Sequence, residues 1–250
     1  GQQGKVEEAV ADFTEVISLD PTHAAAFYSR GNGFFWQGKL NEAIADYSEA
    51  IHLNPDVPDA FYRRGLALRD QGRLDEAIED YTNTLALDPE NLGAYADRGV
   101  AYALLNEWDA AIADFSEAIQ RNPDEVSFYV NRGNALWSLQ RMNEALSDFR
   151  SAIHLNPDYA EAYLGRGRVY HSLGYLEQAI IALSEAIRLR PNEASGYWER
   201  GAVYYAQDDY PQAIADFRTY ERLTGKLEPF MVDLIAFMEG RPNNPFSDIR

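Results

Sequence analysis

The sequence predicts an all-α fold, a solenoid of antiparallel helical hairpins, and two periodic series lead to that prediction. The dipeptide Arg-Gly recurs every 34 residues, from Arg30-Gly31 to Arg200-Gly201. A proline recurs at the same interval from Pro21 to Pro191, and no insertion breaks either series. A constant period in this range is typical of stacked units, each too small to bury its own apolar face. The units are therefore expected to share one continuous core.

Composition limits the partners that such an array can have. The 250-residue chain carries 40 acidic and 22 basic residues, for a formal net charge of -18, and it contains no cysteine. That charge repels nucleic acid and anionic membrane surfaces, so we expect a neutral to basic protein or peptide partner. Disulfides and thiolate metal sites are excluded, and no apolar run approaches the ~18 residues of a membrane span. We expect a soluble protein located in the cytoplasm.

The chain begins with an incomplete unit. Residues 1–23 carry only the second helix of a repeat, in which Ala9, Phe13 and Ile17 recur at helical spacing. We expect that more of the array precedes this helix. Six full repeats follow, at 24–57, 58–91, 92–125, 126–159, 160–193 and 194–227.

The C-terminal end departs from the repeat pattern. Gly225 stands where the other units have proline, and the apolar segment PFMVDLIAFME follows. We expect residues 228–240, with Met231 and Met238 among their apolar side chains, to form a helix that caps the last repeat. Residues 241–250 are expected to be irregular.

Each repeat contains its own boundary signals, as the first full unit illustrates. Phe27, Gly31 and Phe34 share one face of the first helix, and the glycine allows a neighbouring backbone to approach closely. Gly38 marks the turn between the two helices. The second helix ends before Pro55, because proline cannot continue the hydrogen-bond ladder.

The repeat resembles the tetratricopeptide repeat, which has large residues at positions 4 and 24, small ones at 8 and 20, and proline at 32. Position 8 is glycine in all six units, and position 20 is alanine in all six. Position 24 is Tyr47, Tyr81, Phe115, Phe149, Leu183 and Phe217. The resemblance implies a right-handed superhelix, with the first helix of each hairpin lining a concave groove that holds peptides or partner helices.

Arginine at position 7 and aspartate at position 23 form a second periodic pattern. One interpretation is a basic ladder for an acidic ligand, and the other is a set of structural ion pairs that fix the two helices of each hairpin. The strict period favours the structural interpretation. Ala182 replaces the aspartate in one repeat, so Arg166 must find another partner. The predicted scaffold pairs are Arg30 with Asp46, Arg64 with Asp80, Arg98 with Asp114, Arg132 with Asp148 and Arg200 with Asp216.

The candidate groove residues vary from repeat to repeat while the scaffold positions stay constant. They lie mostly at positions 2, 5, 9 and 12 of the first helix, which the resemblance places on the concave face. Their aromatic, amide and basic side chains are typical of a recognition surface, although some could instead pack between repeats. The predicted partner-binding residues are Tyr28, Asn32, Phe35, Trp36, Tyr62, Leu66, Arg69, Asn134, Trp137, Arg168, His171, Trp198 and Tyr205.

The sequence offers almost nothing for catalysis. Its histidines are scattered, and it contains neither a phosphate-binding glycine loop nor a nucleophile elbow. The Lys and Asn pattern by which some repeat proteins of this family clamp a C-terminal carboxylate is also missing. We predict no enzyme activity, no catalytic residue, no metal and no cofactor.

The function favoured by these observations is a non-catalytic scaffold or adaptor that holds a peptide or a partner helix in the concave groove. Two alternatives stay open. The segment could be the regulatory or targeting arm of a larger enzyme, or it could self-assemble into a homo-oligomer through the edge formed by residues 1–23.

Overall fold

A computed structural model describes residues 2–226, 229–238 and 240. In this part of the chain there are fourteen α-helices and no strand. They are α1 Gln2–Leu19, α2 Ala24–Trp36, α3 Leu40–Leu53, α4 Pro58–Asp70, α5 Leu74–Leu87, α6 Leu92–Leu104, α7 Trp108–Arg121, α8 Val126–Ser138, α9 Met142–Leu155, α10 Ala160–Ser172, α11 Leu176–Leu189, α12 Ala194–Ala206, α13 Tyr210–Thr224 and α14 Pro229–Met238. The irregular tail predicted at 241–250 and the side chain of Met231 lie outside the described residues.

The helices belong to two compact units, Gly1–Pro123 and Asp124–Arg250. Within each unit every helix packs against the next one in sequence. The first helices of successive hairpins, α2, α4 and α6 in one unit and α8, α10 and α12 in the other, also contact one another. In the described residues the second helices make no such contact with one another. An open seam, which we call the outer seam, therefore lies between successive second helices within each unit. The predicted all-α array of antiparallel hairpins is confirmed.

The turn inside each hairpin has the same backbone conformation in all six repeats. One residue there takes a positive φ, 72° at Gly38 and 62° at Asn106. Glycine adopts this left-handed conformation without strain, whereas other residues do so rarely. The equivalent residues are Gly38, Gly72, Asn106, Gln140, Gly174 and Asp208. The turn geometry is thus imposed by the packing of the hairpin even where glycine is missing.

The core of each hairpin depends on the glycine at position 8. A Cβ atom added to Gly99 would lie 2.9 Å from a ring carbon of Phe115, closer than carbon atoms pack. Phe115, at position 24 of the same repeat, is 1% exposed. The glycine therefore lets the ring of the second helix lie directly on the first helix, which offsets its helix-propensity cost of about 1 kcal/mol.

The last described helix covers the end of the second unit. Ile235 and Met238 of α14 are buried with Ala213 and Phe217 of α13. This contact removes apolar surface of the final repeat from water, as the terminal element of a repeat array must do.

Candidate functional site

The arginine and aspartate side chains at positions 7 and 23 form bidentate ion pairs within their hairpins. Arg98 donates from Nε to Asp114 Oδ2 over 2.8 Å and from Nη2 to Asp114 Oδ1 over 2.7 Å. The hydrogen bond with Asp114 raises the pKa of Arg98. Because both members of each pair belong to the scaffold, these arginines present no free charge to a ligand. The same arrangement joins Arg30 to Asp46, Arg64 to Asp80, Arg132 to Asp148 and Arg200 to Asp216.

Arg166 is the member of this series without a carboxylate. Its Nε atom is buried and has no hydrogen-bond partner, and Ala182 occupies the aspartate position. The guanidinium lies 5.1 Å from the ring centroid of Tyr163. The equivalent distance is longer in a paired repeat, 5.9 Å from Arg98 to Tyr95. Arg166 therefore lies closer to the ring of its own repeat than Arg30, Arg64, Arg98 and Arg200 do to theirs.

On the first-helix face of residues 2–123, Tyr28 and Asn32 of α2 both contact Tyr47 of α3. The rings of Tyr28 and Tyr47 lie 5.9 Å apart in a tilted arrangement. The Tyr47 hydroxyl donates to Asn32 Oδ1 over 2.8 Å, and burial raises the pKa of Tyr47. Asn32 keeps its amide N–H₂ group for a further hydrogen bond.

Tyr62 and Arg69 on α4 both bind Asp97 on α6. The Tyr62 hydroxyl donates to Asp97 Oδ2 over 2.7 Å, and Arg69 Nη1 donates to Oδ1 over 2.5 Å. Burial, followed by this hydrogen bond, raises the pKa of Tyr62. These two predicted groove residues therefore join adjacent repeats. Leu66 packs against a core cluster that includes Tyr81.

Arg63, also on α4, has no hydrogen bond or ion pair with any described residue. It is half-buried, at position 6 of its repeat. Its charge acts on the hydroxyls of Tyr47 and Tyr62, whose pKa values it lowers against the larger effect of burial. A guanidinium in this setting offers its donors to a ligand.

A mainly apolar cavity of about 130 Å³ opens beside Tyr28. We call it the Tyr28 cavity; its lining residues are Ala24, Ala25, Tyr28, Ala50, Asn54, Val57 and Ala60. The equivalent cavity of the second unit, between Ala160 and Gly196, is only about 30 Å³. There Arg190 Nη1 lies 2.6 Å from Glu161 Oε1, whereas Asn54 and Ala25 occupy these positions in the first unit. The space beside Tyr28 stays open because no ion pair crosses it.

The remaining predicted residues of the first unit differ in exposure. Phe35 is half-buried against the Tyr47 cluster. Trp36 is 76% exposed, at the end of α2. A large aromatic side chain that water surrounds is a candidate contact for a partner.

The candidate residues of the second unit are mostly engaged by neighbouring repeats or by the terminal helices. Trp137 Nε1 donates to Ser172 Oγ over 3.1 Å, and Arg168 Nε donates to Glu199 Oε1 over 2.7 Å. Trp198 packs against other rings, with its centroid 5.2 Å from that of Tyr220. These contacts stabilise the unit itself.

Tyr205 stacks on Tyr210, with centroids 5.9 Å apart, and belongs to the cluster beneath α14. Asn134 and His171 are half-buried on α8 and α10. The structure thus brings Tyr28, Asn32 and Phe35 together around Tyr47, and Tyr28 also lines the open cavity. It gives the two aromatic residues Trp198 and Tyr205 packing roles.

The prediction from sequence omitted position 6 from the groove, and that position carries three informative residues. Arg63 is unpaired, while Asp97 and Glu199 receive the arginines of the preceding repeats. Arg69 precedes Asp97 by 28 residues and Arg168 precedes Glu199 by 31, and these spacings of opposite charges, close to one repeat, could have predicted the two ion pairs from the sequence. The Tyr28 cavity depends on small side chains such as Ala25, and no pattern in the sequence predicts it.

The described residues form neither a metal-binding cluster nor a membrane-spanning helix. No group of three or more His, Cys, Asp or Glu side chains there is arranged to hold a metal ion. None of the described helices combines the length and apolar character that crossing a membrane requires.

Profiles of the tetratricopeptide repeat match most of the chain. Those described as "TPR repeat" match residues 31–69, 133–174 and 167–208, and those described as "Tetratricopeptide repeat" match 1–23 and 62–126. No curated protein matches the sequence.

Solved structures share the fold at low identity. A tetratricopeptide repeat protein from Parabacteroides merdae is 22% identical, with a TM-score of 0.71 and coverage of 95% of this chain and 94% of that one. YrrB, described as a TPR protein with an unusual peptide-binding site, is 23% identical, with a TM-score of 0.65 and coverage of 74% and 95%.

The Cut9-Hcn1 hetero-tetramer of the APC/C contains a third similar chain. It is 19% identical with a TM-score of 0.72, and the match covers 94% of this chain and 46% of that one. The periodic glycine, alanine and aromatic positions, the hairpin geometry and these matches lead to one conclusion. The chain belongs to the tetratricopeptide repeat family.

Proposed function

We propose that the chain is a non-catalytic interaction scaffold whose residues 2–123 bind a peptide segment of a partner protein on the first-helix face. The observation that carries this proposal is the Tyr28 cavity, which is open, mainly apolar and about 130 Å³ in volume. An apolar cavity of about 150 Å³ is large enough to bind benzene. The Tyr28 cavity therefore accepts one branched aliphatic side chain of the peptide.

Polar groups beside the cavity supply the contacts that orient a peptide. Arg63 offers unpaired donors, and Asn32 keeps its amide donors because its oxygen is used by Tyr47. Both suit the carbonyl oxygens of an extended or helical peptide backbone. The formal net charge of -18 favours a peptide that is neutral to basic outside these contacts. The similar protein YrrB, which is described as having a peptide-binding site, supports the same class of ligand.

The test begins with selection from a displayed random-peptide library on the parent chain. Enriched peptides are then measured against two variants by fluorescence anisotropy. Ala25→Leu fills the Tyr28 cavity, whereas Ala45→Leu adds the same side chain at an exposed position of α3 and serves as the matched control.

We expect Ala25→Leu to weaken binding at least about tenfold, because burial of one aliphatic side chain contributes about 1.5–3 kcal/mol. Ala45→Leu should bind as the parent does. Failure to enrich any peptide, or equal affinity for Ala25→Leu and the parent, would count against the proposal.

A further inference from the structure

The fifth full repeat differs from the others on the outer seam between second helices, at the surface where Arg166 lies. In the second repeat this seam is a polar cavity of about 180 Å³. Its lining residues are Ile44, Ser48, Arg64, Leu68, Arg73, Glu76, Glu79 and Asp80. The residues three periods later are Leu146, Arg150, Arg166, Tyr170, Tyr175, Gln178, Ile181 and Ala182, which we call the Arg166 seam.

The charge of the seam is reversed between these two repeats. In the second repeat, Arg64 and Arg73 face the three carboxylates of Glu76, Glu79 and Asp80, for a formal charge of −1. In the Arg166 seam Gln178, Ile181 and Ala182 replace all three carboxylates. Tyr175 stands in place of Arg73, but Arg150 stands in place of Ser48, so the seam holds two arginines and a formal charge of +2. On a chain with a formal net charge of -18 this local excess of positive charge is unusual.

Arg150 increases this excess at a position where Thr14, Ser48, Thr82, Ser116 and Ser184 are neutral and Arg218 of the last repeat is the other charged residue. Position-7 arginines of other repeats donate from Nη1 to a serine or threonine hydroxyl of the preceding second helix, as Arg200 does to Ser184 over 2.9 Å. The same bond joins Arg30 to Thr14, Arg64 to Ser48 and Arg98 to Thr82. For Arg166 the corresponding residue is Arg150, a second cation that is exposed and has no ion pair among the described residues.

The Arg166 seam also carries apolar side chains that water surrounds. Ile181 is 68% exposed and Tyr175 is 53% exposed, and the Tyr175 ring lies 6.4 Å from that of Tyr170. In the second repeat the corresponding positions hold Glu79 and Arg73. Exposed apolar groups around an uncompensated charge are typical of a surface that a partner covers.

From these observations we infer that the Arg166 seam is a second docking site, which binds an acidic peptide segment of a partner protein. A carboxylate of that segment binds between Arg150 and Arg166, and a neighbouring apolar side chain covers Ile181 and Tyr175. The five other repeats identify the ligand, because each position-7 arginine there holds an aspartate carboxylate through a forked pair, as Arg200 holds Asp216. The partner supplies the carboxylate that Ala182 lacks.

The site is independent of the Tyr28 cavity, which lies in the other unit and takes a peptide of different charge. Its test uses the full chain and ¹H–¹⁵N spectra of the arginine Nε–Hε groups. The probe is N-acetyl-Leu-Asp-Leu-amide, and its counterpart with Asn in place of Asp is the control ligand. We expect saturable shifts of the Arg150 and Arg166 resonances with the aspartate peptide, with a Kd of about 1 mM, and no saturable response to the asparagine peptide.

Ala182→Asp supplies the missing carboxylate from the chain itself and should weaken the aspartate peptide at least about tenfold. Ala215→Asp adds the same charge at an exposed position of α13 and should change the affinity less than about twofold. Arg150→Gln alters only an exposed side chain and should weaken binding as well, which keeps the test decisive if Ala182→Asp does not fold. The inference is overturned if the Arg166 resonance does not respond, if both peptides bind equally, or if Arg150→Gln binds like the parent.

Discussion

Replacement of Asp114 by alanine tests whether the periodic ion pairs hold the hairpins together. Asp114 is 4% exposed and receives two hydrogen bonds from Arg98, at 2.8 and 2.7 Å. Removal of one member of a buried ion pair costs about 3–5 kcal/mol, because the other charge is left unpaired. Arg98 retains a bond to the Thr82 hydroxyl at 3.0 Å, and its side chain is 17% exposed to water. We therefore expect a loss at the lower end, about 3 kcal/mol.

Urea unfolding of the parent and the variant, followed by circular dichroism, measures this loss. The midpoint of thermal unfolding should fall by about 10 °C for a unit of this size. Glu79→Ala is the control, because it removes an exposed carboxylate without a direct bond in the described structure and should change stability by less than about 0.5 kcal/mol. A loss below about 1 kcal/mol for Asp114→Ala would refute the structural role of the pairs.

Three further predictions follow from the core. Gly165→Ala should cost about 2 kcal/mol in urea unfolding, because the added Cβ would lie 2.3 Å from ring carbons of the fully buried Phe149. Tyr81→Phe should leave the free energy of unfolding unchanged or raise it, because the Tyr81 hydroxyl is buried without a hydrogen-bond partner. Tyr47→Phe should cost about 1 kcal/mol in the same assay, because the Tyr47 hydroxyl donates to Asn32. Burial raises the pKa of Tyr47, Tyr62 and Tyr81 above the ordinary 10.0, so their contribution to stability should be complete below pH 10 and fall as the pH rises further. The phenolate absorbance lost in each single Tyr→Phe variant should show that site ionising with unfolding, and normal titration of any one of the three would contradict this.

The fold could be predicted from sequence because the same physical requirement recurs six times. The glycine at position 8 and the large side chain at position 24 are in contact in the structure, as at Gly99 and Phe115 and at Gly167 and Leu183, so each repetition reinforced one interpretation. The turn residues were located as well, although the left-handed conformation of Asn106 could not be inferred from its type alone. It is enforced by the packing of the two helices on either side.

The candidate site was less predictable, because a side chain is available to a ligand only if no other residue of the chain contacts it. Trp198 and Tyr205 have the composition of a recognition surface, yet the rings of α13 and α14 cover them. Arg69 forms an ion pair with Asp97 of the next repeat. The Tyr28 cavity is open because Asn54 and Ala25 stand where the second unit has the ion pair of Arg190 with Glu161. Neither residue predicts a cavity by its type alone.

The location of a selected peptide on the chain, mapped by amide chemical shifts, tests most directly whether the first-helix face binds a partner. We expect saturable shifts at Ala25, Tyr28 and Arg63, on the first helices of residues 2–123, and no shift at Ala45 on α3. Shifts confined to the second helices, with the residues of the Tyr28 cavity unchanged, would contradict the proposal that this face binds the partner.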